Sequence, residues 1–344
     1  MLDQFSRTQL LIGREGMDKL ANARVAVFGI GGVGGYVGGM LANYYPHVTF
    51  VARGARGESI REKGLVLHSD YKGEIIARPE AVVGSAAELG PQDIIFICVK
   101  SYSLEEVCAQ LKGAVGPGTV VVPVMNGVDP AKRTAKTLGT GIVVSALIYI
   151  VAFANPDFSV TQQGKFASLR IGITGVAPLT MEDAAAEAED PKIQAHEAIA
   201  YTGSILKGAD IDFKASKDIE ADIWRKYILN CAYNVSTARY NCNVAGLRAD
   251  PVKIQEYEAL VYEALAVAMK KGVHVGPEDA EGIMHRIREE QADNASSSLK
   301  RDVEAGRPAE IETFSGYIVR EGQRLGVPVP VSERFYEALK EMCR

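Results

Sequence analysis

Residues Arg24 to Gly34 read RVAVFGIGGVG, a β-branched apolar run ending in Gly29, Gly31 and Gly34, and no other stretch restricts the possible folds so tightly. A dinucleotide pyrophosphate needs a strand that turns sharply at the first glycine, bare backbone at the second, and close helix packing at the third. The helix that follows then turns free N–H groups and a positive dipole end toward the phosphates. The candidate cofactor loop is therefore Gly29, Ile30, Gly31, Gly32, Val33 and Gly34. Taken alone it suits NAD, NADP, FAD or ATP, and a purely structural glycine turn is the remaining alternative.

From Arg24 to about Ser216 apolar strands alternate with helical stretches, which predicts a doubly wound, Rossmann-type α/β domain over residues 1–216, with residues 1–23 as an N-terminal extension. Strands are expected at Arg24–Phe28, His47–Val51, Asp93–Val99, Thr119–Val124 and Ile142–Phe153. Residues 64–69 and 73–77 flank turn-forming Asp70 to Lys72 and predict an inserted hairpin. Extended segments follow over Pro156–Gly175, then a helix over Pro191–Lys207 and a short strand at Ile211–Phe213. From Lys217 strands vanish, and helical runs at Lys253–Lys271, Pro277–Glu290, Glu310–Leu325 and Ser332–Met342 predict an all-helical second domain over residues 217–344. A crevice between the two, above the carboxyl ends of the strands, is the expected meeting place of substrate and nucleotide.

Composition removes other classes. The 344 residues are 47% hydrophobic and 24% charged, with a net charge of -5, which gives no basic excess for nucleic acid. No apolar run approaches the roughly 18 residues of a membrane span, and MLDQFSRTQL lacks a signal core, so a cytoplasmic protein is expected. Five cysteines without CxxC spacing and scattered histidines suggest neither a disulfide framework nor a metal site. Cys98 and Cys108 read as small core residues.

The residue ending the second strand separates NAD from NADP, because an acid there bonds the ribose hydroxyl whereas an arginine accepts a phosphate. No acid occurs between Gly34 and Glu58, and Arg53 falls where that residue belongs, so NADPH is favoured over NADH. The alternative is that Arg53 and Arg56 are solvated loop charges. Lys100 follows the apolar strand IIFICV at its carboxyl end, where it either meets the cofactor or snorkels to water. Asn126, before Gly127, is either a ligand to nicotinamide or substrate or a turn-forming asparagine.

In ADIWRKYILNCAYNVSTARY, Lys226, Asn230 and Asn234 are four apart, and at about 40° of rotation per step they form one polar stripe on an apolar helix. Asparagine is a poor helix-interior residue, so two aligned with a lysine should face a polar ligand or else waters and a polar neighbouring helix. An ammonium with amides beside it suits carbonyl reduction, protonating the oxygen as hydride arrives.

Several ordered motifs carry a family resemblance: GIGGVG at 29–34, ICVKS at 97–101, MNGV at 125–128, WRKYILNCAYN at 224–234 and SSLKRDVEAGRPAEIE at 297–312. From Arg24 onward the chain resembles the ketopantoate (2-dehydropantoate) 2-reductases, NADPH-dependent enzymes of pantothenate and coenzyme A biosynthesis. The resemblance implies hydride transfer to the carbonyl of a branched 2-oxo acid, with Lys226 as the general acid and Glu310 both positioning that lysine and contacting the cofactor. It implies Asn126, Asn230, Asn234 and Ser298 on substrate oxygens, and Arg53, Lys100 and Asn126 on the cofactor. The sequence alone offers other readings for the two it adds, Ser298 as a helix cap and Glu310 as a first-turn acid. A small-molecule substrate, no nucleic acid or membrane partner and a homodimer are compatible with it. Met125 stands where many relatives carry Gln. The first 35 or so residues, FSRTQLLIGREGMDKLANARVAVFGIGGVGGY among them, also resemble the opening of ubiquitin-activating-like adenylating enzymes, whose acids after the second strand and zinc cysteines this chain lacks. The other functions weighed are reduction of a different 2-oxo acid, ATP-dependent adenylation, and nucleotide sensing without turnover.

Overall fold

The computed structural model describes residue 18, residues 20–176 and residues 191–343. Its contacts divide into two units, the first running to Ile219 except for Asn126–Val128, the second made of Asn126–Val128 and the residues from Glu220.

The first unit contains six strands, β1 (Val25–Phe28), β2 (Val48–Val51), β5 (Ala81–Val83), β6 (Ile94–Ile97), β7 (Val120–Pro123) and β8 (Ile142–Val143), in the order β5-β2-β1-β6-β7-β8. Every neighbouring pair is parallel. Counted among themselves, these strands run 3-2-1-4-5-6, the order of a dinucleotide-binding sheet. Strand periodicity explains how both faces are filled: Val25, Val27, Ile94 and Phe96 enter one core, while Ala26, Phe28, Ile95 and Ile97 enter the other.

A second sheet had no counterpart in the sequence reading. The expected hairpin, β3 (Leu65–Ser69) with β4 (Gly73–Ala77), joins β9 (Ser145–Ala154), β10 (Val160–Gly172) and β11 (Asp212–Ala215). Strand β10 pairs along β9, shifts register between Gln163 and Ser168, and turns its first part to β3 and its last to β11. The single strand expected over Ile142–Phe153 is broken at Val144 into β8 and β9, which belong to different sheets. A continuous apolar run carries no record of which partner each half will find.

The helix Gly32–Tyr44 is packed against both sheets. Cβ atoms added at Gly35 or Gly38 would lie 2.4 Å from Val160 and 3.0 Å from the Phe50 ring, on the two sheets respectively. Glycine disfavours helix by about 1 kcal/mol per residue, so this helix exists because close packing on either side offsets its poor propensity.

The second unit is helical and builds its core around the helix Ile219–Arg239, which buries Trp224, Tyr227, Ile228, Cys231, Ala232 and Val235. Asp250 accepts from the N–H groups of Val252 and Lys253 and caps the helix Pro251–Lys270. Two expected helices are interrupted. Pro277–Glu290 is regular only to His285 and ends in a widened turn over Arg286–Glu290. Glu310–Leu325 begins with a widened turn, Glu312–Gly316, and is regular only over Tyr317–Leu325. Of the N-terminal extension, residues 1–17 and 19 lie outside the described residues. No helix among the described residues is long and apolar enough to cross a membrane.

Candidate active site

The glycine loop takes the shape its spacing requires. Gly29 adopts φ +78, and a Cβ there would lie 2.6 Å from the Cys98 carbonyl oxygen. Gly31 donates its N–H back to the Gly29 carbonyl at 2.6 Å, closing the turn. A Cβ at Gly34 would come within 2.2 Å of the Gly29 oxygen and 2.8 Å of the Cys98 Cβ, so the helix approaches the loop as closely as backbone allows. At Gly31, by contrast, the nearest atom to an added Cβ is 3.9 Å away, which leaves that side of the loop open. The helix beginning at Gly32 has no side chain capping its first N–H groups.

Beside the loop lies a cavity of about 400 Å³ whose walls include Gly29, Ile30, Arg53, Arg56, Ser103 and Glu106. Arg53 begins the helix Gly54–Lys63 and points its Nη2 to the Glu106 carboxylate at 3.6 Å. Arg56 is not a solvated loop charge. Its Nη1 donates to the Ile30 carbonyl at 2.8 Å and its guanidinium lies over the Phe158 ring at 5.3 Å, so it braces the glycine loop. Burial holds the Arg56 pKa below its ordinary value. Lys100 is half-buried between Val99 and the turn Ser101–Ser103; Val99 and Ser103 line the cavity and Lys100 itself does not.

In the second unit the structure assembles a hydrogen-bonded chain from three distant positions. Lys226 Nζ donates to Asn126 Oδ1 at 3.5 Å, and Asn126 Nδ2 donates to Glu310 Oε2 at 3.5 Å. The amide thus presents its oxygen to the cation and its nitrogen to the anion, the orientation electrostatics dictates. Glu310 is only 5% exposed. Desolvation lowers the Lys226 pKa to about 8, against the opposing pull of the Glu310 charge. A lysine so placed titrates much closer to neutrality than a free one and still carries most of its charge at pH 7.

Asn234, one turn beyond Asn230 and 5% exposed, accepts at Oδ1 from Ser298 Oγ at 3.4 Å and from the Leu299 N–H at 3.5 Å. Ser298 is not a helix cap: Ser297 caps the helix Ser298–Glu304 by accepting from the Lys300 N–H, and itself accepts from Thr237 Oγ1 at 2.7 Å. Nor is Glu310 the first-turn acid of a regular helix, since a widened turn follows it. Asn230 is half-buried, and its side chain makes no hydrogen bond to the described residues.

Two contributors were absent from the sequence reading. Tyr227, beside Lys226, shares its hydroxyl proton between the carbonyls of Thr313 at 2.6 Å and Phe314 at 3.0 Å. These carbonyls belong to the widened turn immediately after Glu310, so the lysine helix and the glutamate turn are tied together. Glu106 is the other; its helical spacing from Ser103 and Gln110 marks a shared face, but nothing local says that face meets Arg53. Among the described residues no group of three or more His, Cys, Asp or Glu side chains could hold a metal ion. Burial drives the Cys98 thiol up to about 12, which makes it inert.

The sequence profile described as "Ketopantoate reductase PanE/ApbA" matches residues 25–175, and its partner, "Ketopantoate reductase PanE/ApbA C terminal", matches residues 218–342. The uncharacterized oxidoreductase YkpB of Bacillus subtilis (strain 168) is 28% identical over 314 residues, 91% of this chain and 97% of that protein. A 2-dehydropantoate 2-reductase of Archaeoglobus fulgidus is 28% identical over 313 residues, 90% of this chain and 94% of that protein. The crystal structure of a PanE/ApbA family ketopantoate reductase from Ralstonia eutropha JMP134 superposes with a TM-score of 0.80 at 25% identity, covering 92% of this chain and 97% of that one.

Proposed function

This chain belongs to the ketopantoate reductase PanE/ApbA family of oxidoreductases, and from that premise we propose that it reduces a branched 2-oxo acid with NADPH, converting 2-dehydropantoate to pantoate for pantothenate and coenzyme A biosynthesis. The observation that carries the reading is Lys226, a lysine with its pKa lowered to about 8, joined through Asn126 to the buried carboxylate of Glu310.

The first unit fits a dinucleotide. Gly29 and Gly34 have no room for a side chain, Gly31 is open on its outer side, and the capless helix start at Gly32 offers N–H groups to a pyrophosphate. Arg53, which lines the adjoining cavity, is the residue for a 2′-phosphate, and Lys100 and Asn126 are the further cofactor contacts. When bound, the reduced nicotinamide supplies a hydride to the 2-oxo carbon.

Lys226 then gives its Nζ proton to the carbonyl oxygen, leaving a 2-hydroxy acid and a neutral amine that recovers its proton from water. Glu310 keeps that proton on Lys226 at neutral pH, because its negative charge favours the ammonium that burial disfavours. Asn230, whose amide makes no hydrogen bond to the described residues, and the Asn234–Ser298 pair hold the substrate's carboxylate and hydroxyl oxygens.

The test is NADPH consumption with a panel of 2-oxo acids that includes 2-dehydropantoate. Preferred turnover of 2-dehydropantoate is expected. Turnover of another member alone moves the substrate assignment, and Met125→Gln is the first substitution to make. No turnover of any, together with ATP–pyrophosphate exchange, would replace reduction with adenylation.

A further inference from the structure

The sequence offers no acid at the end of the second strand, yet the folded pocket contains one. Glu106, on the helix Leu104–Gln110, lines the same cavity as Arg53, its Oε1 3.6 Å from the Arg53 Nη2. That oxygen also accepts from Gln110 Nε2 at 3.1 Å, while Oε2 makes no hydrogen bond to the described residues. The turn that carries this helix is fixed by the neighbour of Glu106. That neighbour, Glu105, is gripped through two nitrogens of Arg133 at 2.7 and 2.8 Å, and the same guanidinium bonds the Ser101 hydroxyl and carbonyl, fixing the turn from which the helix starts. With Glu105 turned to Arg133, Glu106 is turned to the cavity.

We propose that Glu106 is a specificity-determining residue for the adenosine ribose: it accepts a hydrogen bond from a 2′-hydroxyl and opposes a 2′-phosphate, so that the pocket takes NADH alongside NADPH. This rests on the dinucleotide reading of the first unit and deepens it. Arg53 and Glu106 are opposed selectors. A 2′-phosphate recruits Arg53 and must part it from Glu106, whose like charge it then faces. A 2′-hydroxyl leaves the ion pair intact and donates to Oε2, as the strand-end acid of NAD-specific folds does. Both side chains are largely exposed, at 65% and 61%, so the pair itself contributes little to stability and is free to rearrange.

The experiment measures dissociation constants of NADPH and NADH for the intact protein and for Glu106→Gln, without any 2-oxo acid, together with competition by 2′,5′-ADP and 5′-ADP. Glutamine keeps the shape and the Gln110 contact while removing the charge. In Glu106→Gln the preference for NADPH over NADH should rise about tenfold, with the same shift for the two ADP fragments, and the shift should shrink in high salt. In Arg53→Ala the preference should move the opposite way. An unchanged ratio in Glu106→Gln, with both dinucleotides still bound, overturns the role of Glu106 and leaves the reductase reading standing. Failure of the unaltered protein to bind either dinucleotide overturns both.

Discussion

The two units offer their chemistry in different materials. In the first, the loop Gly29–Gly34 is made of backbone: what matters is where a Cβ cannot be, as the 2.2 Å approach at Gly34 shows. In the second, Lys226, Asn126 and Glu310 are side chains from three separate stretches, joined by contacts of 3.5 Å. A backbone site is rigid, because its geometry is the strand–turn–helix itself. A side-chain cluster is tunable, since the Glu310 charge raises the Lys226 pKa that burial lowers. That division suits an enzyme whose cofactor is large and constant and whose proton must be released at a chosen moment.

Lys226→Ala breaks the comparison most sharply. Turnover should fall by about a thousandfold, the scale of a lost general acid, while NADPH affinity stays within about twofold. A lost affinity with turnover intact would place the lysine in the wrong half of the reaction. Next come the glycines, compared in one titration and melting experiment. Gly34→Ala should destabilise the protein by about 3 kcal/mol and abolish measurable NADPH binding, because a backbone oxygen has nowhere to go. Gly31→Ala, with 3.9 Å to its nearest atom, should melt as the parent does and weaken NADPH about tenfold. Equal effects at the two positions would contradict a loop built to be open on one side only.

The pH profile probes the tunable half. A lysine with its pKa lowered to about 8 is charged below that pH and neutral above it, so reductive turnover should hold on the acid side and decline as pH rises through about 8. Because Glu310 raises the Lys226 pKa, Glu310→Gln should move the decline to lower pH; a profile that stays put would separate the two residues. The smallest effect is expected at Tyr227, where Tyr227→Phe removes the hydroxyl shared by Thr313 and Phe314. The melting transition should drop by about 1 kcal/mol, and turnover should fall several-fold as the turn carrying Glu310 loosens. If melting falls but turnover does not, the tie is structural only.

The α/β alternation, the helical second half and the hairpin were legible because each rests on local periodicity or on turn residues. The Lys226, Asn230, Asn234 stripe was legible for the same reason, since spacing of four on a helix is a local fact. Ser298 and Glu310 entered through family resemblance; no periodicity marks them. The second sheet escaped because the β3–β4 pair, the β9–β10 pair and β11 are drawn from three separated stretches, and β8 and β9 look like one strand until their partners are known. The interrupted helices escaped because a widened turn changes hydrogen bonding by one residue and leaves the apolar pattern intact.

The amino-acid sequence by itself determined the glycine loop, because a positive φ at Gly29 and a close helix contact at Gly34 each demand glycine at a fixed spacing. It determined which residues bear charge. Only the tertiary structure decided which charges meet: Glu310 with Lys226 by way of Asn126, and Glu106 with Arg53. The reason is range. Backbone constraints act between neighbours in the chain and are written there, whereas a lysine's pKa or a ribose pocket's selectivity depends on groups tens to hundreds of residues away, brought within a few ångströms by the packing of helices whose sequences do not name their partners.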